Sequence, residues 1–254
     1  MINRKELEET AGIKRLSLGY AEKDYLQDLI LFSISKNTKD EMVLKGGTCL
    51  YKFYKLDRFS EDLDFSLANE IDTDKLFKGV IRDLKAFGIE AKILEKKKIF
   101  NSVLASFRIF GPLYSGGDQS ACRIRMDINL KSEVVLKPEL MRLISAYRDV
   151  PTCFVQVMKE KEILAEKVRA ILTRNYARDV YDLYFLLEKG IEIDLELVNQ
   201  KMRYYNEIWN PEKFSQRLQE KKPLWEKELK PLLRELPEFE EVVKTIKKEV
   251  NSIK

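Results

Sequence analysis

Four stretches of this 254-residue chain carry side chains able to do chemistry. The densest is Ser60-Glu61-Asp62-Leu63-Asp64-Phe65. On a strand, alternate residues share a face and stand ~7 Å apart, so Asp62 and Asp64 project together, opposite Leu63 and Phe65. Two carboxylates aimed at one spot repel unless a cation stands between them, and such a pair can clamp metal ions ~3.5–4 Å apart. The plainer alternative is a solvated strand face. A second stretch, Arg123-Ile124-Arg125-Met126-Asp127-Ile128-Asn129-Leu130, alternates cleanly. Ile124, Met126, Ile128 and Leu130 take one face; Arg123, Arg125, Asp127 and Asn129 take the other. Either this is an ordinary amphipathic strand, or Asp127 is a third carboxylate beside the Asp62–Asp64 strand.

The third stretch, Lys45-Gly46-Gly47-Thr48, joins a short apolar strand to a helical segment. A glycine pair lets backbone approach a ligand closely, and a helix N-terminus offers unpaired N–H groups to phosphate. The GxxxxGK[ST] spacing of a P-loop is missing, and a simple strand–turn–helix joint fits equally well. The fourth pairs Glu166-Lys167-Val168-Arg169 with Ala177-Arg178-Asp179-Val180-Tyr181-Asp182-Leu183. Lys167 lies off the Leu164, Val168, Ile171 stripe. Asp179 and Asp182 share a helix face, either as inter-helix ion pairs or as part of a site.

Composition narrows the chemistry. The chain has no histidine, which excludes Ser-His-Asp triads, Cys-His dyads and histidine zinc sites. Its three cysteines, Cys49, Cys122 and Cys153, are scattered and form neither a disulfide framework nor a CxxC pair. Catalysis would then run on carboxylates, Lys, Arg, hydroxyls or a hard cation such as Mg²⁺ or Mn²⁺. With 44% hydrophobic and 35% charged residues the chain can build a core, and long disorder is excluded. The net charge of +4 permits a nucleic-acid partner without demanding one. No apolar run approaches the ~20 residues of a membrane span, and the start lacks a signal-peptide stretch. The expectation is a soluble, cytoplasmic protein with no membrane partner.

The elements that must position these residues change in texture near residue 155. Before it, helices are expected over 20–35, 48–54 and 75–87, the last opened by Asp72-Thr73-Asp74. Strands are expected over 42–44, 62–67, 89–94, 102–110 and 122–130. After it the pattern is helical: 160–173, 177–188 with Gly190 as its cap, 194–205, 211–232 and 239–253. This predicts an α+β domain over residues 1–155 and an all-helical domain over 156–254.

The order of the motifs is more specific than any one of them. A glycine turn (Val43-Leu44-Lys45-Gly46-Gly47-Thr48-Cys49-Leu50) precedes Arg58-Phe59-Ser60-Glu61-Asp62-Leu63-Asp64-Phe65. An acidic strand follows, and then Glu162-Ile163-Leu164-Ala165-Glu166-Lys167-Val168-Arg169-Ala170 runs through to Arg178-Asp179-Val180-Tyr181-Asp182-Leu183. Over roughly residues 20–190 the chain resembles the AbiEii/AbiGii-type nucleotidyltransferases of the DNA polymerase beta-like superfamily. The resemblance implies a mixed sheet with flanking helices and an enzyme moving NMP from an NTP to an acceptor hydroxyl. It gives Gly46, Gly47, Thr48 and Ser60 to the nucleotide phosphates, and Asp62, Asp64 and Asp127 to Mg²⁺ or Mn²⁺. Lys167 becomes a phosphate-facing cation, Asp179 an acidic residue that either orients Lys167 or contacts the nucleotide, and Arg58 and Arg178 phosphate or ion-pair groups. The helical domain would thereby add Lys167 and Asp179 to the site. The resemblance further implies an RNA acceptor, at a tRNA 3′ end, and a separately encoded antitoxin. A small-molecule or protein acceptor, or a non-catalytic binding module, are the competing readings. Lys92, Lys96, Lys97 and Lys98 form a basic cluster that either tracks a phosphate backbone or is a solvated hairpin face.

Overall fold

The computed structural model describes residues 1–131 and 134–252. The chain divides into two compact units. The first comprises Met1–Phe53, Glu61–Val134 and Pro138–Val157; the second comprises Tyr54–Ser60, Val135–Lys137 and Met158–Lys254.

The first unit runs α1 (Arg4–Lys14), α2 (Leu18–Asn37), β1 (Met42–Lys45), α3 (Gly46–Phe53), β2 (Leu63–Leu67), α4 (Thr73–Ala86), β3 (Glu90–Ile99), β4 (Ser102–Phe110), β5 (Cys122–Asn129), β6 (Glu139–Leu143) and β7 (Cys153–Val157). Its strands form one mixed sheet in the order β3-β4-β5-β2-β1-β7-β6. The pairs β2–β5 and β1–β7 are parallel and the others antiparallel. Leu44, Phe65, Phe107, Ile124, Met126 and Ile128 point to one face and are buried. Helices α2 and α4 pack there, with Phe77 edge-on to Phe107 at 5.4 Å. Asp72 caps α4 by accepting from the Asp74 and Lys75 N–H groups, as its position before the helix implies.

Helix α3 is pinned to α2 by a buried cation. The Lys52 ammonium bonds the Asp24 carboxylate and stands 2.5 Å from that of Asp28. Burial disfavours the Lys52 charge, but Asp24 and Asp28 outweigh it and hold its pKa above the ordinary lysine value.

The second unit is helical: α5 (Glu160–Thr173), α6 (Ala177–Glu188), α7 (Leu195–Arg203), α8 (Pro211–Gln219), α9 (Trp225–Leu229) and α10 (Phe239–Ser252). A mixed sheet with helices followed by an all-helical region is the α+β class expected from the sequence. Among the described residues no helix is long and apolar enough to cross a membrane.

Several elements differ from the expectation. Helix α1 opens on an Asn3–Glu6 capping box, a readable signal hidden by the weak apolar stripe behind it. The edge strand β6 and its neighbour β7 have no counterpart in the expected set; only alternate residues of β7, Cys153, Val155 and Val157, are buried. Strand β3 continues to Ile99 rather than stopping near residue 94, because a bulge between Ile93 and Glu95 resets its register on β4. The single helix expected over 211–232 is broken into α8 and α9. Pro223, inside the short turn Lys222–Leu224, has no N–H to continue a helical ladder. Helix α10 is described to Ser252, and Ile253 lies outside the described residues.

Candidate active site

The sheet register gathers the chemistry on the face turned away from α2 and α4. Lys45 of β1 stands opposite Asp64 of β2, and Asp64 stands opposite Asp127 of β5. Directly paired residues on neighbouring strands share a face, and strands lie ~4.8 Å apart. Lys45, Asp64 and Asp127 therefore form one row, with both carboxylates half-buried.

Gly46 explains why the row has room. It follows β1 with φ +70°, and a Cβ there would lie 2.7 Å from the Asp64 Oδ2 atom. Any other residue would meet both a left-handed backbone and a collision with this carboxylate. Gly47 and Thr48 follow in the first turn of α3 and are buried. The Thr48 hydroxyl donates to the Asp62 backbone carbonyl, which ties the start of α3 to the entrance of β2.

Asp62 lies on the same face, just before β2. Its carboxylate is engaged by the Arg125 guanidinium, with Nε at 3.1 Å and a terminal nitrogen at 3.2 Å. Arg125 is exposed and Asp62 half-buried; exposed pairs of this kind are worth about 0–1 kcal/mol. Among the described residues no three His, Cys, Asp or Glu side chains stand together as a ready-made metal site, and the Asp62–Arg125 pair is one reason. The donor set nonetheless suits a hard divalent cation: Asp64 and Asp127 offer only oxygen ligands, the glycine at 46 leaves space beside them, and Asp62 can join by releasing a weakly held arginine. The neighbouring Glu61 is bonded by Lys23 at 2.6 Å. The alternation of Arg123, Arg125 and Asp127 held the signal for Arg125, but not which carboxylate it meets. Lys45 was readable only as the residue before the glycine pair.

The remaining candidates belong to the second unit. Ser60 is buried at the end of its Tyr54–Ser60 segment. Lys167 is 2.9 Å from Asp179 and 2.6 Å from Asp182. Arg58 grips Asp182 through two 2.7 Å hydrogen bonds, and Arg174 binds Asp179 at 2.7 and 2.8 Å. Arg178, half-buried, stands 4.0 Å from Glu228. Burial pushes the Asp179 and Asp182 pKa values up, but the cations outweigh it. Lys167 and Arg174 hold Asp179, and Arg58 and Lys167 hold Asp182, below the ordinary carboxylate range. Lys167 and Asp179 are thus brought together, inside a network of three cations and two carboxylates.

Comparisons with known proteins bear on the fold and the family. The chain is similar in fold to MenT4, a nucleotidyltransferase toxin from Mycobacterium tuberculosis H37Rv, with a TM-score of 0.69 at 19% identity over 100% of this chain and 91% of that one. It is similar in fold also to JHP933 from Helicobacter pylori, with a TM-score of 0.61 at 21% identity over 93% of this chain and 92% of that one. No curated protein matches at a significant level. The model of the nucleotidyl transferase AbiEii toxin family matches residues 29–245. The chain therefore belongs to the AbiEii family of type IV toxin–antitoxin systems, and it is a nucleotidyltransferase.

Proposed function

We propose that this nucleotidyltransferase transfers NMP from an NTP to the 3′-hydroxyl of an RNA, a tRNA in particular, using Mg²⁺ or Mn²⁺ held by Asp64 and Asp127 with Asp62. Its toxicity would be relieved by a separately encoded antitoxin. The observation that carries the reading is the in-register Asp64–Asp127 pair beside a glycine where any side chain would be strained and would press on Asp64.

When bound, the divalent ion supplies charge neutralisation at the triphosphate and a lowered pKa for the attacking hydroxyl. The chain's own residues do the rest. Gly46 and Gly47 let the backbone approach the nucleotide, and the first turn of α3 presents N–H groups to phosphate. Thr48 fixes that turn to the strand carrying Asp62 and Asp64. Asp127, across from Asp64, orients the acceptor hydroxyl or takes its proton. Lys167 and Asp179 are already satisfied within the second unit, so the proposal gives them a positioning part and rests on the carboxylates of the sheet.

Incubation with labelled NTPs, Mg²⁺ and total RNA tests this. An RNA band labelled by wild type and not by Asp64→Asn supports it. Label on a protein or small molecule would move the acceptor to another class. No label in any fraction would favour a binding module that has kept the fold.

A further inference from the structure

The bulge in β3 divides the run of lysines between the two faces of the sheet. Lys96 turns toward α4, where its ammonium lies 2.7 Å from Asp74 and over the Phe77 ring. Lys98, opposite Val103, shares that face. Lys92 instead pairs with Arg108 of β4, which pairs with Arg123 of β5. Lys92, Arg108 and Arg123 thus form a second row across three strands, on the face that carries Asp127.

Two like-charged pairs directly opposed on neighbouring strands destabilise a sheet. One loop carboxylate, Asp118, compensates the row. It bonds Arg108, and Arg108 first, then Lys92 and Arg123, hold its pKa below the usual value. Its side chain is 84% exposed, beside Gly116-Gly117. Lys92 and Arg123 are both exposed along the same row, while Arg108 between them is buried. The row lies four residues along β5 from Asp127, about 13 Å, and Arg125 stands midway on the same face. At the Arg123 end opens a cleft of about 410 Å³, lined by Ser17, Gly19, Lys23, Ser120 and Arg123. Its one carboxylate, Glu22, is tied to the Leu113 N–H. A fold that carries this repulsion beside an open cleft is arranged for an anion that repeats along a line.

We propose that the Lys92–Arg108–Arg123 row binds the phosphate backbone of the acceptor RNA a few nucleotides from its 3′ end, directing that end toward Asp127. This rests on the RNA-acceptor reading above and adds the surface that would select such an acceptor.

The test is the affinity of the full-length protein for a fluorescent stem-loop RNA with a single-stranded 3′ tail, measured across salt concentrations, with nucleotide incorporation followed in parallel. The double reversal Lys92→Glu/Arg123→Glu is expected to weaken binding at least about tenfold and to flatten the salt dependence by about 0.7–0.9 for each phosphate no longer neutralised. The charge-keeping pair Lys92→Arg/Arg123→Lys should retain binding, and Lys98→Glu on the opposite face should match wild type. Thermal melting reports whether each variant is folded. A double reversal that binds RNA like wild type overturns the proposal, as does an equal loss in Lys98→Glu. Binding that depends on the row without incorporation into RNA supports the surface and counts against the RNA-acceptor reading. Incorporation with row-independent binding removes the surface and leaves that reading standing.

Discussion

Two groups of charged residues in this chain look alike in the sequence and differ in the structure. In the first unit Asp64 and Asp127 are half-buried, and Asp62 is held by an exposed arginine. In the second unit Asp179 and Asp182 are buried and gripped by Lys167, Arg58 and Arg174. A buried carboxylate held by several cations leaves a costly unpaired charge when one of them is removed. One left half-open beside a second carboxylate is in the state from which a cation can be captured. The contrast lies in exposure more than in residue type: one set of carboxylates is half-open and the other is closed.

The sharpest way to break the contrast is to neutralise one member of each group. Asp64→Asn or Asp127→Asn should lower nucleotidyl transfer by ~10³ or more, about 4 kcal/mol of barrier, while the melting temperature stays within a few degrees. Arg58→Met should do the reverse. Removing one partner of a buried ion pair costs about 3–5 kcal/mol, read as a lower urea midpoint with an unchanged slope. A loss below about 1 kcal/mol would show that the second group is not structural. Gly46→Ala joins backbone strain of about 1–3 kcal/mol to a clash with Asp64, and should lower transfer about 10- to 100-fold while leaving most of the stability.

Acid sharpens the contrast further. The Asp179 and Asp182 pKa values lie below their unfolded value of about 3.9. Their stabilisation is therefore complete above that value and is lost as pH falls through the folded-state pKa. The second unit should keep its stability from neutrality down to about pH 4 and lose it below, followed by circular dichroism. Asp182→Asn should remove much of that acid dependence. The smallest expected effect falls on the pair between the two carboxylate strands: Arg125→Gln, by releasing Asp62, should raise Mn²⁺ affinity about two- to fivefold, and no change would remove Asp62 from the ligand set.

Much of this was legible from residue order. The period-two alternation of β2 and β5 told which of their side chains share a face, and the glycine pair marked the turn into α3. What alternation alone withheld was register. Nothing in the sequence says that Asp64 faces Asp127 rather than Arg125, or that Asp62 meets Arg125, because pairing between distant strands is set by the packing of the whole sheet. The lysine run of β3 was misleading for a related reason, since one bulged residue reassigns every side chain beyond it. Strands β6 and β7 escaped because β6 is an edge strand with exposed, mixed residues and β7 stands next to the helical texture of α5. The partners of Lys167 were half visible: the spacing of Asp179 and Asp182 gave their shared helix face, while the second cation, Arg58, comes from more than a hundred residues away.

The most direct test of the central claim is a calorimetric titration of Mn²⁺ into the protein with a non-hydrolysable NTP, for wild type, Asp64→Asn and Asp127→Asn. Wild type should give a saturable heat that either substitution abolishes while the variants remain folded. Equal Mn²⁺ binding by all three proteins would contradict it.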